Sequence, residues 1–597
     1  MTNVDITSIL RNVAASYAIK DESKHRFQII AYNKAADAIE RSTVELKNLV
    51  TQDKLDQIDG VGTSIASNIE ELLKTGKSKH FEEIMKDIPP AVFPLLTVPS
   101  FGPKKAYKLV DHFKLIEPDI VIDEVYKLAQ DDKISGLPTF GAKSQADIIN
   151  AIESYKMGAS KTARMILPYA TELAEQLLGY LKKSKYVLEA YPLGSMRRQL
   201  STIGDIDIAV ATHHPAEVLQ YFTEYPHKER VLEKGDATSS ILVGAGKHID
   251  LMVQPPDRFG SLLQHFTGSK NHNVHLREYA LKKGLSLSEY GIKKISSSNK
   301  DLKVRESDDV ETFRTEEKFY KAIGLQWIPP EMREDTGEIE LAAKNELPKP
   351  VELKDIKGDF HLHSSYPIEP SHDMGKDTFA TMLEKANSLG YEYVGFSEHN
   401  PSVSKHSNEQ IVTILRRRKE VIDQLNSSNK YVRVFSLLET DILTNGNLAI
   451  PDEGFEYLDA SIVSIHSSFS MSKEDMTKRV LAGLSHPKAK ILAHPTGRLL
   501  NQRAGYDLDW DQVFDFAVKN NKALEINSSP LRLDLPDELV REAIRHGVKF
   551  FIDTDSHEVS YMDMMKFGIS VARRGWATKN DILNTYEYNK LKEWFEK

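Results

Sequence analysis

Two aspartates that flank a single isoleucine constrain this chain more than any other feature. Asp205 and Asp207 open the apolar run Ile206–Val210, which predicts a buried strand. Side chains two residues apart on a strand point to the same face, so both carboxylates share one side of it. Neighbouring carboxylates repel each other unless cations lie between them. The pattern therefore predicts a metal-binding carboxylate pair on a buried strand.

Residues on both sides of this strand extend the predicted site. Upstream, Gly194-Ser195 can present backbone N–H groups to a triphosphate, and Arg197 and Arg198 beside it suit phosphate charge. Downstream, Asp250 stands near the start of a second apolar run. Three carboxylates can hold two Mg²⁺ ions, one activating a hydroxyl and one clamping a triphosphate. An ordinary Asp-x-Asp on a surface strand is the alternative, but the turn and Asp250 favour metal-dependent nucleotidyl transfer.

A third segment points to a family. His265-Phe266-Thr267-Gly268-Ser269-Lys270 follows Asp250, with Asn273 and Arg277 beyond it. The combined pattern resembles the nucleotidyltransferase core of family X DNA polymerases, the group that includes DNA polymerase beta. His265 stands where DNA polymerase beta has an aromatic residue, which leaves ribose discrimination open. The resemblance implies metal binding by Asp205, Asp207 and Asp250, triphosphate binding by Gly194, Ser195 and Arg198, sugar contact by Phe266 and Gly268, base contact by Asn273, and template contact by Arg277.

Composition narrows the class of protein. A chain of 597 residues with 40% hydrophobic and 28% charged residues predicts several soluble globular domains. It has no cysteine, which excludes disulfides and thiolate metal sites, so any metal must use His, Asp or Glu. No signal peptide or long apolar run is present, so we expect a cytoplasmic protein with no membrane partner. The net charge of −9 argues weakly against binding of nucleic acid. This value averages over all domains, so it does not exclude a domain that binds nucleic acid.

The N-terminal region contains three glycine hairpins between predicted helices. Each resembles a helix-hairpin-helix element, in which glycines expose backbone N–H groups that a DNA phosphate or a bridging monovalent cation can bind. A plain turn with a C-cap glycine is the alternative. Three copies ahead of a polymerase-like region favour DNA-backbone binding. The candidate residues are Gly60, Gly62, Gly102, Lys104 and Gly141.

The resemblance also divides the polymerase-like part into domains. Residues 1–80 are expected to form a helical, lyase-like domain that binds DNA ends, and 81–159 a helix-hairpin-helix fingers domain. A nucleotidyltransferase palm is expected over 160–260 and a small thumb over 261–335. Residues 336–355 are charged and contain proline, which predicts a linker. Asn68 matches the lyase lysine of DNA polymerase beta, and an amide cannot form a Schiff base.

A second candidate site follows this linker. Asp359-Phe360-His361-Leu362-His363 places two imidazoles on one face of a predicted strand. Further histidines and carboxylates follow short apolar runs, which is how a (β/α) barrel builds a site at strand C-termini. Neutral imidazole with carboxylate suits Mn²⁺, Zn²⁺ or Fe²⁺. A lone His-x-His is more often a surface pair, but the recurrence here favours a metal centre.

Residues 356–597 resemble the PHP (polymerase and histidinol phosphatase) domain, a distorted barrel with a three-metal phosphoesterase site. The interval before Asp373 is longer than usual, so His372 is a rival ligand. Glu398 replaces the usual Asp before His399. The implied ligands are His361, His363, Asp373, His399, Glu439, His466, His494, Asp555 and His557.

The whole chain is therefore expected to be a multidomain α+β protein. It would combine helical N-terminal and helix-hairpin-helix domains, a palm, a small thumb and a C-terminal distorted (β/α) barrel of PHP type. The resemblance implies a gap-filling DNA polymerase of base excision repair, using Mg²⁺ or Mn²⁺, with a Mn²⁺-dependent 3′–5′ exonuclease. Its partners would be gapped or primer–template DNA and dNTPs, and we expect a monomer. A template-independent nucleotidyltransferase, a small-molecule phosphoesterase with a passenger polymerase domain, and a non-catalytic DNA-end-binding scaffold are the alternatives.

Overall fold

The computed structural model describes residues 3–40, 46, 50, 55, 58, 61–98, 101–156, 164–243, 247–295, 310–429, 431–501, 503 and 505–597. The chain divides into two compact units. The first comprises Met1–Met165, Glu172–Pro192 and Gly204–Pro255, and the second comprises Ile166–Thr171, Leu193–Ile203 and Pro256–Lys597. Residues 160–260, predicted as one palm, thus contribute to both units.

Among the described residues up to 156, the regular structure of the first unit is helical, as the sequence predicts. Ile65, Ile69 and Leu72 show why, because they recur at helical spacing and are all buried on one face. That helix ends at Gly76, whose φ of +80° is the left-handed C-cap that glycine adopts without strain. The helices are α1 (Asn3–Asp21), α2 (Arg26–Glu40), α3 (Thr63–Thr75), α4 (Lys79–Met85), α5 (Val92–Leu95), α6 (Pro103–Phe113), α7 (Val121–Gln130) and α8 (Ala142–Lys156).

The glycines of the predicted hairpins lie where helices begin. Gly62 precedes α3, Gly102 precedes α6 and Gly141 precedes α8. The first N–H groups of a helix have no partner within that helix, so each of these positions can face an anion. Lys104, also predicted to bind the DNA backbone, is exposed and lies 2.6 Å from Glu22. Gly60 lies outside the described residues.

The rest of the first unit contains helices and a five-stranded sheet with the order β2 (Glu189–Pro192), β4 (Ile206–Ala211), β7 (Lys247–Gln254), β6 (Thr238–Val243) and β5 (Lys228–Lys234). Strands β4 and β7 run parallel, and the other neighbours are antiparallel. Apolar residues bury both faces of β4, so polar side chains on it are confined to its beginning. The elements from residue 165 to 254 are β1 (Met165–Ile166), α9 (Leu167–Leu181), β2 (Glu189–Pro192), α10 (Gly194–Arg197), β3 (Thr202–Ile203), β4 (Ile206–Ala211), α11 (Pro215–Thr223), β5 (Lys228–Lys234), β6 (Thr238–Val243) and β7 (Lys247–Gln254).

The longest segment of the second unit, Pro256–Lys597, begins with the predicted thumb. Here a helical pair and a small hairpin pack on a core that includes Leu276, Phe319, Tyr320 and Ile328. Trp576, from the far end of the chain, belongs to the same core. The elements are α12 (Phe259–Thr267), α13 (Lys270–Leu281), β8 (Leu285–Ser288), β9 (Gly291–Lys294), α14 (Glu316–Ala322) and a 3₁₀ turn at Pro330–Met332.

The segment predicted as a linker, 336–355, is folded. It contains α15 (Glu338–Lys344) and a 3₁₀ turn at Leu353–Asp355. Ile339 and Ala342 are buried in the same core as Tyr320. These apolar residues lie three apart on one helix face, and Glu338 beside them is buried as well, so the charged composition of the segment does not mark it as exposed.

Eight parallel strands alternate with helices in the C-terminal part, among the residues that the structure describes. The helices cover apolar strands that are buried along their length, such as β10 and β16. The elements are β10 (Gly358–Leu362), α16 (Phe379–Ser388), β11 (Tyr393–Phe396), α17 (Asn408–Ser428), β12 (Arg433–Ser436), β13 (Glu439–Asp441), β14 (Ser461–Ser464), α18 (Lys473–Leu484), β15 (Ala489–Leu492), α19 (Trp510–Lys519), β16 (Ala523–Asn527), α20 (Asp537–His546), β17 (Lys549–Asp553), α21 (Met565–Arg574) and α22 (Tyr588–Glu596), with 3₁₀ turns at Asp452–Tyr457, Val559–Met564 and Leu583–Thr585.

These strands form two sheets, β10-β11-β12 and β13-β14-β15-β16-β17, rather than one continuous closed barrel. Only Leu437 and Leu438 separate β12 from β13, so the chain passes directly from one sheet to the next. Single bridges join the sheets, one between His399 and Glu439 and one between Leu362 and Ser556. The expected barrel is thus present only as a mixed α/β arrangement of two bridged sheets.

Among the described residues, no helix is both long enough and apolar enough to cross a lipid bilayer.

Candidate active sites

The sheet of the first unit brings two of the predicted carboxylates side by side. Asp207 on β4 is in parallel register with Asp250 on β7, and Asp205 precedes β4. Burial raises the pKa of Asp207 to about 6, and the charges of Asp250 and Asp205 add to the effect. Asp250 accepts a hydrogen bond from the Ser240 hydroxyl. The arrangement concentrates negative charge that a divalent cation would relieve.

The predicted triphosphate-binding turn lies in the second unit. Gly194 has a φ of +54°, and Gly194, Ser195 and Arg197 belong to the single turn α10. Arg198 follows it, with Nε 2.9 Å from a Glu334 oxygen and Nη1 donating to the Thr267 carbonyl at 2.6 Å.

Gly268 lies against this arginine. Its φ is +69°, and a Cβ there would lie 3.1 Å from Nη1 of Arg198. The absence of a Cβ at Gly268 therefore allows it to lie close to Arg198. The family resemblance assigns both residues to binding of the same nucleotide. Phe266 lies on the same segment, with its ring centroid 4.8 Å from that of His265.

Arg197 belongs to a different, buried ion cluster. Its Nη2 lies 2.6 Å from Oε2 of Glu316, and Nη1 of Arg333 lies 2.6 Å from Oε1. Burial opposes ionisation of Glu316, but the two guanidiniums outweigh it and lower its pKa to about 2. Arg197 therefore anchors the turn to α14, while Arg198 remains the candidate for phosphate contact.

Asn273 and Arg277 lie on α13 and point toward the same neighbour. The Asn273 amide donates to the His265 carbonyl at 2.6 Å and accepts from Gln264 at 2.9 Å. Arg277 Nη2 lies 3.4 Å from Nδ1 of His265. Burial lowers the pKa of His265, which favours its neutral form. The predicted base-contact and template-contact residues are thus ordered around the position where an aromatic was expected.

In the C-terminal part, all nine predicted ligands converge at the ends of the parallel strands. Glu439 is the hub, with a side chain only 1% exposed. Histidine nitrogens lie around its two oxygens at 2.8–3.5 Å, and they belong to His361, His363, His399, His466 and His494.

The remaining ligands complete the ring. Asp555 Oδ1 lies 3.3 Å from Nε2 of His363. The Asp373 carboxylate is 3.4 Å from Nε2 of His399 and 3.3 Å from Nε2 of His557. Asp373 therefore lies between two other predicted ligands. Its rival His372 lies 3.1 Å from Asp441 and forms with Asp441 and His466 another group that could hold a metal.

The site has the properties of a metal centre. Within the described part of the chain, buried nitrogens of His361, His363 and His399 face carboxylate oxygens without hydrogen-bond geometry. Four groups of three His, Asp or Glu side chains have ligand atoms within 4.8 Å of one another. Groups that are buried, polar and unsatisfied are costly unless a ligand occupies the space between them. The donor set of imidazole and carboxylate fits a transition metal.

Carboxylates behind the ring orient the histidines. Glu525 Oε1 lies 2.6 Å from Nδ1 of His361, and Asp441 Oδ1 lies 2.7 Å from Nδ1 of His466. Such contacts fix the ring and its tautomer and leave the other nitrogen, which lies near Glu439, able to bind a metal. Glu398 does not join the ring, because it is buried in an ion pair with Arg418.

A cavity of about 360 Å³ opens over the ligands. Its wall includes Lys376, Arg532 and Tyr561 in addition to seven of the predicted ligands, namely Asp373, His399, Glu439, His466, His494, Asp555 and His557. Arg532 Nε lies 3.3 Å from Asp555 Oδ2. Sequence reasoning missed both Arg532 and Asp441. Asp441 could have been found, because it lies two residues after Glu439 on the same strand face.

Comparisons with known proteins indicate the family of the chain. A model described as the DNA polymerase beta thumb matches residues 262–334, and a helix-hairpin-helix domain model matches residues 1–78. The chain is 33% identical over 587 residues to the DNA polymerase/3′–5′ exonuclease PolX of Bacillus subtilis (strain 168), covering 98% of this chain and 97% of that protein.

More distant similarity covers part of the chain. DNA polymerase lambda of Rattus norvegicus is 23% identical over 355 residues, which is 56% of each protein. DNA polymerase lambda of Arabidopsis thaliana is 23% identical over 357 residues, or 55% of this chain and 62% of that protein.

Proposed function

The chain belongs to the family X DNA polymerases that carry a 3′–5′ exonuclease, and from this premise we propose which of its residues perform each reaction. It is a DNA-directed DNA polymerase with 3′–5′ exonuclease activity, uses divalent metal ions and binds template DNA. The assignments of individual residues, of the metals and of the preferred DNA substrate are our proposals.

We assign nucleotide addition to the carboxylates Asp205, Asp207 and Asp250. Divalent cations bound there, Mg²⁺ or Mn²⁺, would promote attack of a primer 3′-hydroxyl on the dNTP α-phosphate and stabilise the departing pyrophosphate. The register of Asp207 with Asp250, and the raised pKa of Asp207, support this role.

We assign dNTP binding to residues of the second unit. Gly194, Ser195 and Arg198 would hold the triphosphate, Phe266 and Gly268 the sugar, and Asn273 the base, with Arg277 contacting the template. The contact between Gly268 and Arg198, and the ordering of Asn273 and Arg277 around His265, support the set.

We assign 3′-end hydrolysis to the C-terminal ring of nine ligands. Mn²⁺, Zn²⁺ or Fe²⁺ held there would lower the pKa of a bound water and so supply hydroxide at neutral pH. Asp441 and Glu525 hold the rings of His466 and His361, and Arg532 offers a cation for the scissile phosphate. We further propose that the two bridged sheets are the halves of a distorted barrel of PHP type.

We propose that the preferred substrate is gapped DNA in base excision repair, bound by a monomer. The helix N-termini at Gly62, Gly102 and Gly141, with Lys104, would contact phosphates and not bases, and the Gly60 hairpin belongs to the same set. Strong 5′-deoxyribose-phosphate lyase activity is not expected, because Asn68 donates its amide to the Ser64 carbonyl where a lysine amine would be needed.

One observation carries the proposal, namely that Asp207 and Asp250 stand side by side on neighbouring strands, while histidines and carboxylates of the C-terminal part form separate groups that could hold metal ions. A gapped duplex with a labelled primer tests it. We expect extension with dNTPs and Mg²⁺, and shortening from the 3′ end when dNTPs are withheld and Mn²⁺ is added. Extension of single strands as fast as of gapped duplex would instead support a template-independent enzyme. Hydrolysis of small phosphate monoesters alone would support a small-molecule phosphoesterase.

A further inference from the structure

A buried arginine near the C-terminus contacts the turn that carries Arg198. Arg574 ends helix α21, and its side chain is only 7% exposed. Its Nη1 donates to the backbone carbonyl of Arg198 at 2.9 Å and lies 2.9 Å from Oε1 of Glu334. Its Nη2 lies 2.7 Å from Asp537. The guanidinium is therefore held from both sides.

Glu334 is shared between two arginines. The same Oε1 atom lies 2.9 Å from Nε of Arg198, whose side chain is 11% exposed. Arg198 donates its other contact to the Thr267 carbonyl, next to Gly268. The position of the Arg198 guanidinium thus depends on where Arg574 holds Glu334.

A second contact comes from the same face of α21. The Ser570 hydroxyl, one helical turn before Arg574, donates to the Gln199 side-chain oxygen at 3.0 Å. Two neighbouring positions of one helix therefore touch two consecutive residues of the turn. Helix α21 begins shortly after Asp555 and His557 of the C-terminal ring. Its other end, at Arg574, contacts the turn proposed to bind the nucleotide.

We propose that Arg574 is a positioning residue for DNA synthesis, one that sets the affinity for the incoming dNTP through Glu334 and Arg198. This inference rests on the proposed role of Arg198. With Arg574 present, the Glu334 carboxylate is shared between Arg574 and Arg198. Arg198 is then held in place but bound weakly enough to contact a triphosphate. Without Arg574, Glu334 pairs with Arg198 alone and competes with the triphosphate for it.

The test compares steady-state dNTP kinetics of the full chain on a gapped duplex in Mg²⁺. For Arg574→Ala we expect KM for dNTP to rise about tenfold, the size of one charged hydrogen bond, with kcat and 3′-end shortening little changed. Arg573→Ala is the matched control, because Arg573 pairs with Glu331 and the Val351 carbonyl instead. We expect its KM to equal the parental value.

A double-mutant cycle separates positioning from loss of structure. If Arg574 acts through Glu334, then Glu334→Gln combined with Arg574→Ala should raise KM by less than the two separate effects combined. Arg574→Lys keeps the charge but not the forked contacts, so we expect an intermediate KM and a folded protein. Equal losses of kcat, exonuclease and dNTP affinity in this lysine variant would overturn the proposal, as would additive effects in the cycle.

Arg198→Ala distinguishes this inference from the assignment beneath it. We expect that change to raise KM for dNTP more than Arg574→Ala does. If Arg198→Ala raises KM and Arg574→Ala does not, only the role of Arg574 is refuted. If Arg198→Ala leaves KM unchanged, the assignment of Arg198 to the triphosphate is wrong and the inference falls with it.

Discussion

Replacing Glu316 by glutamine should destabilise the second unit strongly. Glu316 is 4% exposed and bridges Arg197 to Arg333, whose side chain is fully buried. Trp327 Nε1 lies 3.4 Å from the same carboxylate. A glutamine side chain carries no charge and presents its NH₂ group to one guanidinium. Two buried cations would then lack their common counter-ion.

The size of the effect follows from the pKa of Glu316, which the two arginines hold at about 2 against burial. A carboxyl with a pKa below its unfolded value of about 4.3 stabilises the fold above that pH, and this stabilisation is lost as pH falls toward 2. The difference of roughly two units corresponds to about 3 kcal/mol of unfolding free energy at neutral pH.

Urea denaturation followed by tryptophan fluorescence measures this, because Trp327, Trp510, Trp576 and Trp594 are all in the second unit. We expect Glu316→Gln to lower the midpoint by roughly 0.5–1 M at pH 7. The gap between variant and parent should shrink as pH falls from about 5 toward 2, because the carboxyl of the unfolded parent takes up a proton first, while that of the folded parent keeps its charge until near its pKa of about 2. Glu317→Gln, at the exposed neighbouring position, is the control. An unchanged midpoint, or an equal shift in the control, would refute the reasoning.

Three further predictions concern DNA. Arg532→Ala should slow 3′-end shortening in Mn²⁺ at least tenfold and leave extension intact. Equal exonuclease rates for variant and parent would show that Arg532 takes no part in hydrolysis. Changing Gly60 and Gly62 to valine should reduce the preference for gapped over open duplex in anisotropy titrations, with weaker salt dependence; an unchanged preference contradicts the first hairpin's role. Borohydride should trap little covalent adduct on an incised abasic site, and an efficient adduct would show that another lysine replaces Asn68.

Local sequence patterns predicted where several candidate site residues lie along the strands. The spacing of Asp205 and Asp207 places them at the start of β4, and histidines after apolar runs do lie at strand ends. Such patterns work because side-chain direction along a strand depends only on its period of two. They do not reveal which strands pair. The register of Asp207 with Asp250 depends on strands 43 residues apart in the sequence, and only the folded sheet shows it.

Burial explains what the sequence did not reveal. The segment predicted as a linker is rich in charge, yet Glu338 is fully buried against His272, with Nδ1 of the imidazole 2.6 Å away. From the sequence alone a charged residue such as Glu338 is expected to be exposed. Its buried partner His272 is 66 positions away, so the sequence does not show the pairing. Glu334 and Arg574 were missed for the same reason. Their importance lies in long-range contacts, which the local sequence does not show.

The most direct test of two independent active sites compares two variants on one labelled, gapped duplex in Mn²⁺. Asp207→Ala should abolish nucleotide addition and still shorten the primer from its 3′ end. His361→Ala combined with His363→Ala should lose bound metal and 3′-end shortening and still fill the gap. Loss of both activities in either folded variant, or survival of the activity assigned to the altered site, would contradict the account.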